Sequence, residues 1–320
     1  MSVLNTKVMQ NTTLVHPEYF YISGFTGIPF VKCYFIFIFF TYIVAVFGNS
    51  FVLFMICTER SLHIPRYIGI FNLALADLGE TNALIPNLIK TFIFDSQYIS
   101  YNACLSNMFF VFFFSSVQSF ALVVLAYDRF IAICFPLRYH AIVNNSLMAA
   151  ALMLVWSFCT VVVGTMVGLI TKLSLCKSNV VKSYFCDHGP IYTMACNDNT
   201  INSVIAKCCT AIFIYAPLIA IIVSYVSILL ALSKITTWAE RLKAMKTCVS
   251  HLLVVGIFFI PVLCVYIAAL TFTLEPNARI ISTSLSSAIP PMVNPIIYVL
   301  NTNKFKNFIL KMFKKRSNLC

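Results

Sequence analysis

Charged residues are scarce in this chain, and their scarcity excludes a soluble fold. Only 10% of the 320 residues are charged and 60% are hydrophobic, whereas ordinary soluble domains carry about 25% charge. The mean hydropathy is +0.90. So much apolar surface is compatible with a lipid environment rather than with water. We therefore expect an integral membrane protein.

Several patterns of other protein classes are also lacking. The first 29 residues are polar and mixed, and the apolar run after them is far too long for a secretory signal, so it is predicted to be a true span. We find no nucleophile–base motif, no metal-ligand spacing and no phosphate-binding loop, which argues against an enzyme and against a cofactor. Repeats and linkers are lacking too, so residues 1–320 are predicted to form a single domain.

Apolar stretches long enough to cross a bilayer, which takes roughly 20 residues, occur seven times. Their approximate limits are 30–57, 67–91, 101–135, 147–170, 204–233, 244–273 and 279–301. The second and the seventh are the least apolar, because Asp77 and Glu80 interrupt the one and serines and prolines crowd the other. The pattern predicts an all-α membrane protein built as a bundle of seven transmembrane helices.

The basic residues predict the orientation of this bundle. Seven spans put the two termini on opposite sides, and 14 of the 22 basic residues lie in the connections and the tail on the C-terminal side. By the positive-inside rule, the C-terminus is cytoplasmic and the N-terminus extracellular. Because the net charge of +12 follows these loops, it does not indicate nucleic-acid binding. We expect a multi-pass protein of the plasma membrane.

Two further features agree with this orientation. Asn11 begins a glycosylation sequon in the N-terminus, whereas the sequon at Asn144 falls on the cytoplasmic side, where it should stay unused. In the tail, apolar residues recur at 305, 308, 309, 312 and 313, with lysines on the opposite face. Residues 302–314 are therefore predicted to form a short amphipathic helix on the lipids of the inner leaflet.

An adjacent acid–base pair, Asp128-Arg129, lies at the cytoplasmic end of the predicted third span, in the run LAYDRFIAICFPLRYH. Charges within a span are costly, so the pair is a candidate functional site. A pair that snorkels to the interface and anchors the helix is the simpler alternative. Taken alone, the pair does not decide between the two.

Further motifs occur in the other spans. Gly48-Asn49 lies in span one, NLALAD ends at Asp77 in span two, Ser224-Tyr225 lies in span five, KAMKTCVSHL begins span six at Lys243, and PMVNPIIY fills 291–298 in span seven. Together with the run around Asp128, these motifs resemble those of the vertebrate odorant receptors, rhodopsin-like G-protein-coupled receptors. The resemblance extends over nearly the whole chain and leaves the branch of the family open, with a fish-type branch as one option.

The resemblance implies a receptor that binds a small organic odorant and activates a stimulatory, olfactory-type G protein, so that cyclic AMP rises in sensory cilia. It also implies a cytoplasmic switch, in which Asp128 holds Arg129 by a charge-assisted bond until activation frees the arginine. The residues that the family pattern assigns to coupling and switching are Asp128, Arg129, Tyr225, Lys243, His251, Asn294, Pro295 and Tyr298.

An internal polar network around Asp77, with Asn49 and Asn294, is implied as well, and in the family it holds sodium or a proton. This chain departs from the pattern, because Gln118 stands where many members have a glutamate, while Glu80 lies one turn beyond Asp77 on the same face. Sodium binding at Asp77 therefore stays open. Two other departures, Phe130 and Lys246, leave the charge and the hinge in place and bear on basal activity.

Four cysteines differ from the isolated ones in the apolar spans. Cys176, Cys186 and Cys196 share one polar loop, and Cys104 opens span three. Four cysteines allow three pairings, and the sequence does not choose among them. The resemblance implies the pairs Cys104–Cys186 and Cys176–Cys196.

The resemblance also places the ligand beneath this loop, among spans three, five and six. The candidate contacts there are aromatic, small or mildly polar, as suits a volatile organic molecule: Met108, Val111, Phe112, Ser115, Ser116, Cys209, Thr210, Phe213, Phe259, Leu263 and Tyr266. For any one of them, core packing is an equal alternative. Basic residues at the rim attract anions, yet the outer part of span six is apolar, so the charge of the ligand stays open. The rim residues are Lys172, Lys177, Lys182, Lys207 and Arg279.

Two other functions remain as alternatives. A non-olfactory metabolite receptor of the same superfamily would carry the same motifs. A channel or transporter should show internal repeats with interrupted helices or pore-lining charge rings, and the sequence shows neither. The odorant receptor is therefore the first expectation and the channel or transporter the most distant.

Overall fold

The structure is a computed structural model that describes residues 14–24, 30–94, 96–234, 237–271, 276–301 and 304–306. For 91–94, 239–240, 243, 247, 266, 268–271, 276 and 301 it describes the backbone only. The predicted glycosylation site Asn11 lies outside these residues. So does the predicted tail helix of 302–314, except for residues 304–306, which are helical.

Helices make up most of the described chain. In chain order they are α1 (Val31–Thr58), α2 (Pro65–Phe94), α3 (Tyr101–Cys134), α4 (Tyr139–Ile142), α5 (Asn145–Ile170), α6 (His188–Thr193), α7 (Thr200–Thr210), α8 (Ala216–Ser233), α9 (Trp238–Thr271) and α10 (Pro276–Asn301). A π-helical turn, Ala211–Tyr215, joins α7 and α8 into one span. The short helices α4 and α6 lie in loops, so the bundle consists of seven membrane-length helices.

The long helices have the composition that a bilayer requires. Within the described residues, six are both long and apolar enough to cross a membrane, and only α2, with Asp77 and Glu80 in its middle, is more polar. Helices satisfy their own backbone hydrogen bonds, which lipid cannot do for them. Their outward faces carry apolar side chains, such as Phe47, 71% exposed, and Leu154, 72% exposed. Such faces suit lipid rather than water.

Helix α3 is the centre of the bundle and contacts α2, α5, α8 and α9. Its approach to α2 is close at Gly79, where an added Cβ atom would lie 2.3 Å from the ring of Phe114. A side chain at this position would force the Phe114 ring to move, because protein interiors are already tightly packed. The close approach of the two helices also brings Glu80 of α2 against Gln118 of α3.

One end of the bundle, here called the disulfide end, consists of the loop 171–199 and a small sheet. The sheet has the order β2-β1-β3 and joins three separate segments, β1 (Tyr19–Ile22), β2 (Tyr98–Ser100) and β3 (Val180–Val181). Strand β1 runs antiparallel to β2 and parallel to β3. Cys104–Cys186 and Cys176–Cys196 are disulfide-bonded, the pairing that the family resemblance implies.

The opposite end, here called the arginine end, contains Asp128, Arg129 and residues 304–306. The largest apolar cluster lies there and includes Leu125, Ile228 and Phe305. Phe305 is fully buried against Tyr67, and the Lys304 Nζ atom donates to the Ser61 carbonyl at 2.8 Å. The segment 304–306 is thereby held against the connection between α1 and α2.

Candidate functional site

A cavity of about 990 Å³ lies beneath the loop of the disulfide end, enclosed by α3, α5, the α7–α8 span, α9 and α10. Its size is that of a typical small-molecule site. Eight of the predicted ligand contacts line it: Val111, Phe112, Ser115, Ser116, Cys209, Thr210, Phe213 and Phe259. The wall is mainly apolar, with hydroxyl groups spread among the aromatic rings.

Two predicted contacts do not line this cavity, and a third cannot be placed. Met108 is fully buried in the core, because it lies one turn below Cys104, where the disulfide-bonded loop and α5 pack over α3. Leu263 is turned away from the wall that Val262 contributes, since adjacent helix positions differ by about 100°. The Tyr266 side chain lies outside the described residues.

Some residues of the wall were not predicted. The loop contributes Tyr184, Asp187 and His188, and α10 contributes Thr283 and Ser287. The loop residues are sequence neighbours of Cys186, which the disulfide draws onto α3. Their proximity to that cysteine is the signal by which they could have been found.

Several hydrogen bonds hold the loop over the cavity. Cys186 N–H donates to Asn107 Oδ1 at 3.1 Å, which fixes the loop to α3 beside the disulfide. The Arg279 guanidinium donates to the Lys182 carbonyl at 3.0 Å, and Tyr184 Oη lies 3.3 Å from Ser287 Oγ, so α10 is tied to the loop as well. The loop, which forms the roof of the cavity, is therefore attached to α3 on one side and to α10 on the other.

Charged groups at the roof largely oppose one another. Lys182 and Arg279 line the cavity, whereas Lys172, Lys177 and Lys207 are exposed and lie outside its wall. Burial raises the pKa of Asp187, and the nearby Arg279 partly counters that rise. Burial also lowers the pKa of His188 to about 4, although Asn202 beside the ring opposes the shift. At pH 7 the imidazole is therefore neutral.

A second group of polar side chains lies halfway down the bundle and brings together the predicted internal network. The Asn294 amide donates to Asp77 Oδ2 at 2.9 Å, and the Asn49 amide donates to the Pro291 carbonyl at 2.8 Å. Glu80 faces Gln118 and Ser287 and also reaches the cavity wall. The network therefore begins at the floor of the cavity.

Oxygen atoms in this network lack partners among the residues that the structure describes. They are Asp77 Oδ1, Asn49 Oδ1 and Asn294 Oδ1, all buried. Buried oxygens without a partner are costly, and ordered water or a hard cation such as sodium satisfies them. The donor set fits either one.

A hydroxyl of α3 supports the π-helical turn at the cavity wall. Ser119 Oγ donates to the Phe213 carbonyl at 2.6 Å, and both residues are buried. The residue four places beyond Phe213 is Pro217, which has no N–H to donate to that carbonyl. Ser119 therefore supplies a donor in place of the N–H that Pro217 lacks.

The predicted switch pair lies at the arginine end. Arg129 donates to Asp128 Oδ2 at 2.5 Å, and the Tyr139 hydroxyl of α4 donates to Asp128 Oδ1 at 2.8 Å. Asp128 is fully buried and Arg129 is 9% exposed. Burial and the Asp128 carboxylate both raise the pKa of Tyr139, so this phenol remains a donor. Both carboxylate oxygens are thus occupied.

Other predicted switch residues lie around this pair. Tyr225 Oη and His251 Nδ1 are 2.8 Å apart and join α8 to α9. The Tyr298 hydroxyl is buried without a partner among the described residues, and Pro295 packs closely against Gly48. The Lys243 side chain lies outside the described residues. The structure thus brings Tyr225 and His251 together and leaves Tyr298 unengaged.

Comparisons with known proteins place the chain in a family. A family model described as "Olfactory receptor" matches residues 38–316. Human (Homo sapiens) olfactory receptor 51E2 is 35% identical over 279 residues, covering 85% of this chain and 86% of that protein. Human olfactory receptor 51I1 is 34% identical over 297 residues, covering 92% of each chain.

The fold of the chain is similar to that of a solved receptor structure. The crystal structure of squid rhodopsin superimposes with a TM-score of 0.71 at 17% sequence identity, covering 89% of this chain and 85% of that one. At this identity the likeness concerns the fold alone, which is that of the rhodopsin-like receptors. Because the family model extends over most of the sequence and the relatives are matched nearly end to end, the chain belongs to the olfactory receptor family.

Proposed function

We propose that this receptor binds a small, mainly apolar organic molecule in the 990 Å³ cavity and signals its presence through a stimulatory G protein. The observation that carries the proposal is the cavity itself, walled by Phe112, Phe213 and Phe259 with the hydroxyls of Ser115 and Thr210 among them. Apolar walls with a few orienting polar groups are typical of sites for small ligands. A volatile odorant has this chemistry.

The arginine end would be the part of the receptor that couples to the G protein. In the resting arrangement, Asp128 holds Arg129, and Tyr139 occupies the second carboxylate oxygen. A ligand that binds more tightly to the conformer with Arg129 free shifts the population toward it, and only by that difference in affinity. The freed guanidinium would then meet the G protein, and adenylyl cyclase would raise cyclic AMP.

This mechanism requires the disulfide end to face outward and the arginine end to face the cytoplasm. Disulfides persist outside the cell, and the excess of basic residues on the C-terminal side supports the same orientation. We place the receptor in the plasma membrane of sensory cilia, with Asn11 glycosylated and the tail on the inner-leaflet lipids. The unpartnered oxygens near Asp77 would hold a sodium ion or water.

A cyclic-AMP assay with a panel of volatile compounds tests the proposal. In cells that express the wild-type receptor, some members of the panel should raise cyclic AMP, and Arg129→Ala should abolish that response at equal surface expression. Arg60→Ala is a matched control, because Arg60 is exposed in the connection between α1 and α2. A full response from Arg129→Ala would contradict the coupling mechanism.

A further inference from the structure

We propose that the floor of the cavity recognises amines, and that the carboxyl group of Glu80 binds the ammonium end of the ligand. The inference deepens the proposed function and rests on the cavity being the ligand site. The predicted ligand contacts do not include Glu80, which the sequence placed in the internal polar network. That this acid also reaches the ligand space follows only from the packing of the helices.

Glu80 is a buried acid that opens onto the cavity. It lies in the middle of α2, is only 3% exposed and contributes to the cavity wall. Asp77, one helical turn earlier, is fully buried and lies outside the described wall. Of these two acids, Glu80 is therefore the one that a ligand in the cavity can contact.

The carboxyl group of Glu80 has no basic partner. Among the residues that the structure describes, the only ion pair is Asp128–Arg129, which lies at the arginine end. The side chains beside Glu80 are those of Gln118 and Ser287, which are neutral. Both amide atoms of Gln118 are buried and unpartnered as well. A buried carboxylate without a counter-charge is costly, and a cation at hydrogen-bond distance offsets that cost.

The distribution of charge along the cavity directs an ammonium group to this floor. At the roof, Lys182 and Arg279 outnumber Asp187, so a cation is not favoured there. At the floor, the charged group that acts on Glu80 is Asp77, a second acid, and neither base of the roof acts on it. The mainly apolar wall between roof and floor suits the hydrocarbon part of an amine.

The proton balance of this step is simple, because aliphatic amines are cations at pH 7. An ammonium ion that meets the ionised carboxylate forms the ion pair directly. An ammonium ion that meets the protonated acid forms the same pair, and the proton of Glu80 passes to the solvent. A hydrogen bond between two charged groups is about twice as strong as a neutral one. We therefore expect an amine to bind more tightly than an alcohol of the same shape.

A direct binding measurement tests this inference without relying on signalling. The purified full-length receptor in lipid nanodiscs is titrated in a calorimeter with 2-phenylethylamine, 2-phenylethanol and 3-phenylpropanoate, and empty nanodiscs correct for uptake by the lipid. The amine should bind about tenfold more tightly than the alcohol. Glu80→Gln keeps the shape of the side chain and removes its charge, so it should weaken the amine about tenfold and change the alcohol by less than about twofold.

Two more variants separate recognition from a structural role. Glu80→Asp keeps the carboxyl group and should retain part of the preference for the amine, whereas a purely structural role predicts that both substitutions at Glu80 affect all three compounds alike. Asp198→Asn is the matched control, because Asp198 is an exposed acid outside the described cavity wall. It should leave the binding of the amine unchanged.

The outcomes also distinguish this inference from the proposed function. It would be overturned by an alcohol or a carboxylate that binds as tightly as the amine, by an amine that does not bind, or by a preference for the amine that survives in Glu80→Gln. Ser115→Trp places a large ring in the cavity and should weaken the amine and the alcohol alike. Binding that this variant leaves unchanged would contradict the proposed ligand site itself. Selective binding of the amine without a cyclic-AMP response would contradict only the proposed coupling.

Discussion

The two ends of the bundle are held together by different kinds of bond. At the disulfide end, two disulfides and a three-stranded sheet tie the N-terminal segment, the start of α3 and the long loop to one another. At the arginine end, the described contacts are apolar packing and a few hydrogen bonds, above all those of Asp128. The first kind of bond persists through thermal motion, and the second breaks at modest cost.

This contrast agrees with what each end is proposed to do. The cavity of about 990 Å³ is covered by a loop that a disulfide links to α3, and a covalent link of this kind restricts how far the loop can move. A switch must have two arrangements that differ by only a few kcal/mol, which hydrogen bonds and packing provide. The bundle therefore combines one end that covalent bonds fix with another end that exchangeable contacts hold.

The largest effect should come from removing the disulfide that fixes the roof. Cys104 and Cys186 are 82 residues apart, so Cys104→Ala/Cys186→Ala should reduce the free energy of unfolding by about 4 to 5 kcal/mol, because the unfolded chain gains entropy. Cys176 and Cys196 are only 20 residues apart, and their removal should cost about 3 kcal/mol. Thermal unfolding in detergent measures both. Equal losses would argue against the chain-entropy explanation.

The second largest effect should be a loss of folding stability at acidic pH, caused by His188. Unfolded His188 has its ordinary pKa near 6.5, and the folded residue has a pKa of about 4. As the pH falls from about 6.5 to 4, this histidine therefore becomes protonated in the unfolded state but not in the folded state. The free energy of unfolding should fall by roughly 3 kcal/mol as a result. Protonation of Asp187, whose folded pKa is raised, acts in the opposite direction.

The difference between wild type and His188→Phe isolates the contribution of the histidine. Unfolding midpoints of both proteins are measured at pH 7 and at pH 4.5, with the same lipid and salt. The variant should lose much less stability than wild type on acidification. Parallel losses in the two proteins would show that His188 does not carry this dependence on pH.

The third effect tests the arginine end. Asp128→Asn replaces the ion pair with Arg129 by a hydrogen bond to a neutral amide oxygen, and bonds to charged groups contribute about 1.5 to 3 kcal/mol. Arg129 should be released more often, and basal cyclic AMP should rise several-fold at equal surface expression. Tyr139→Phe removes only the bond to Asp128 Oδ1 and should raise it less. Unchanged basal signalling in Asp128→Asn would mean that this pair does not restrain the receptor.

The smallest effect should come from the middle of the bundle. There the Ser119 hydroxyl donates a hydrogen bond to the Phe213 carbonyl. Ser119→Ala should reduce the free energy of unfolding by about 1 kcal/mol, since a buried carbonyl loses its donor. In a Pro217→Ala background, residue 217 regains an N–H that can serve the same carbonyl, so the loss should be close to zero. A double-mutant cycle by thermal unfolding measures the difference, and additive losses would contradict this explanation.

Much of the fold was predictable, because a bilayer imposes simple rules on sequence. Apolar runs of membrane length predicted the seven helices, even for α2, where Asp77 and Glu80 reduce the signal. The motifs around Asp128 and Asn294 indicated the family, which the comparisons confirm. The small sheet was not predicted, since its strands have two to four residues and pair across long stretches of chain.

The residues that line the cavity were predicted less completely than the residues that surround Asp128. Eight of its contacts were anticipated on α3, the α7–α8 span and α9, but Met108 is in the core and the loop residues were missed. A helix face can be followed by counting residues, whereas a long loop has no period to count. Which of its side chains face inward depends on the disulfides and on the bonds from Arg279 and Tyr184.

The sequence by itself determined that the chain lies in a membrane, that it crosses it with seven helices and that it has the motifs of an olfactory receptor. These properties depend on hydropathy and on short local patterns. Only the tertiary structure decided which groups face the cavity, that Tyr139 shares Asp128 with Arg129, and that His188 of the loop is buried beside Asn202. Such properties depend on contacts between residues far apart in sequence, which form only when the helices pack and the loop closes over them.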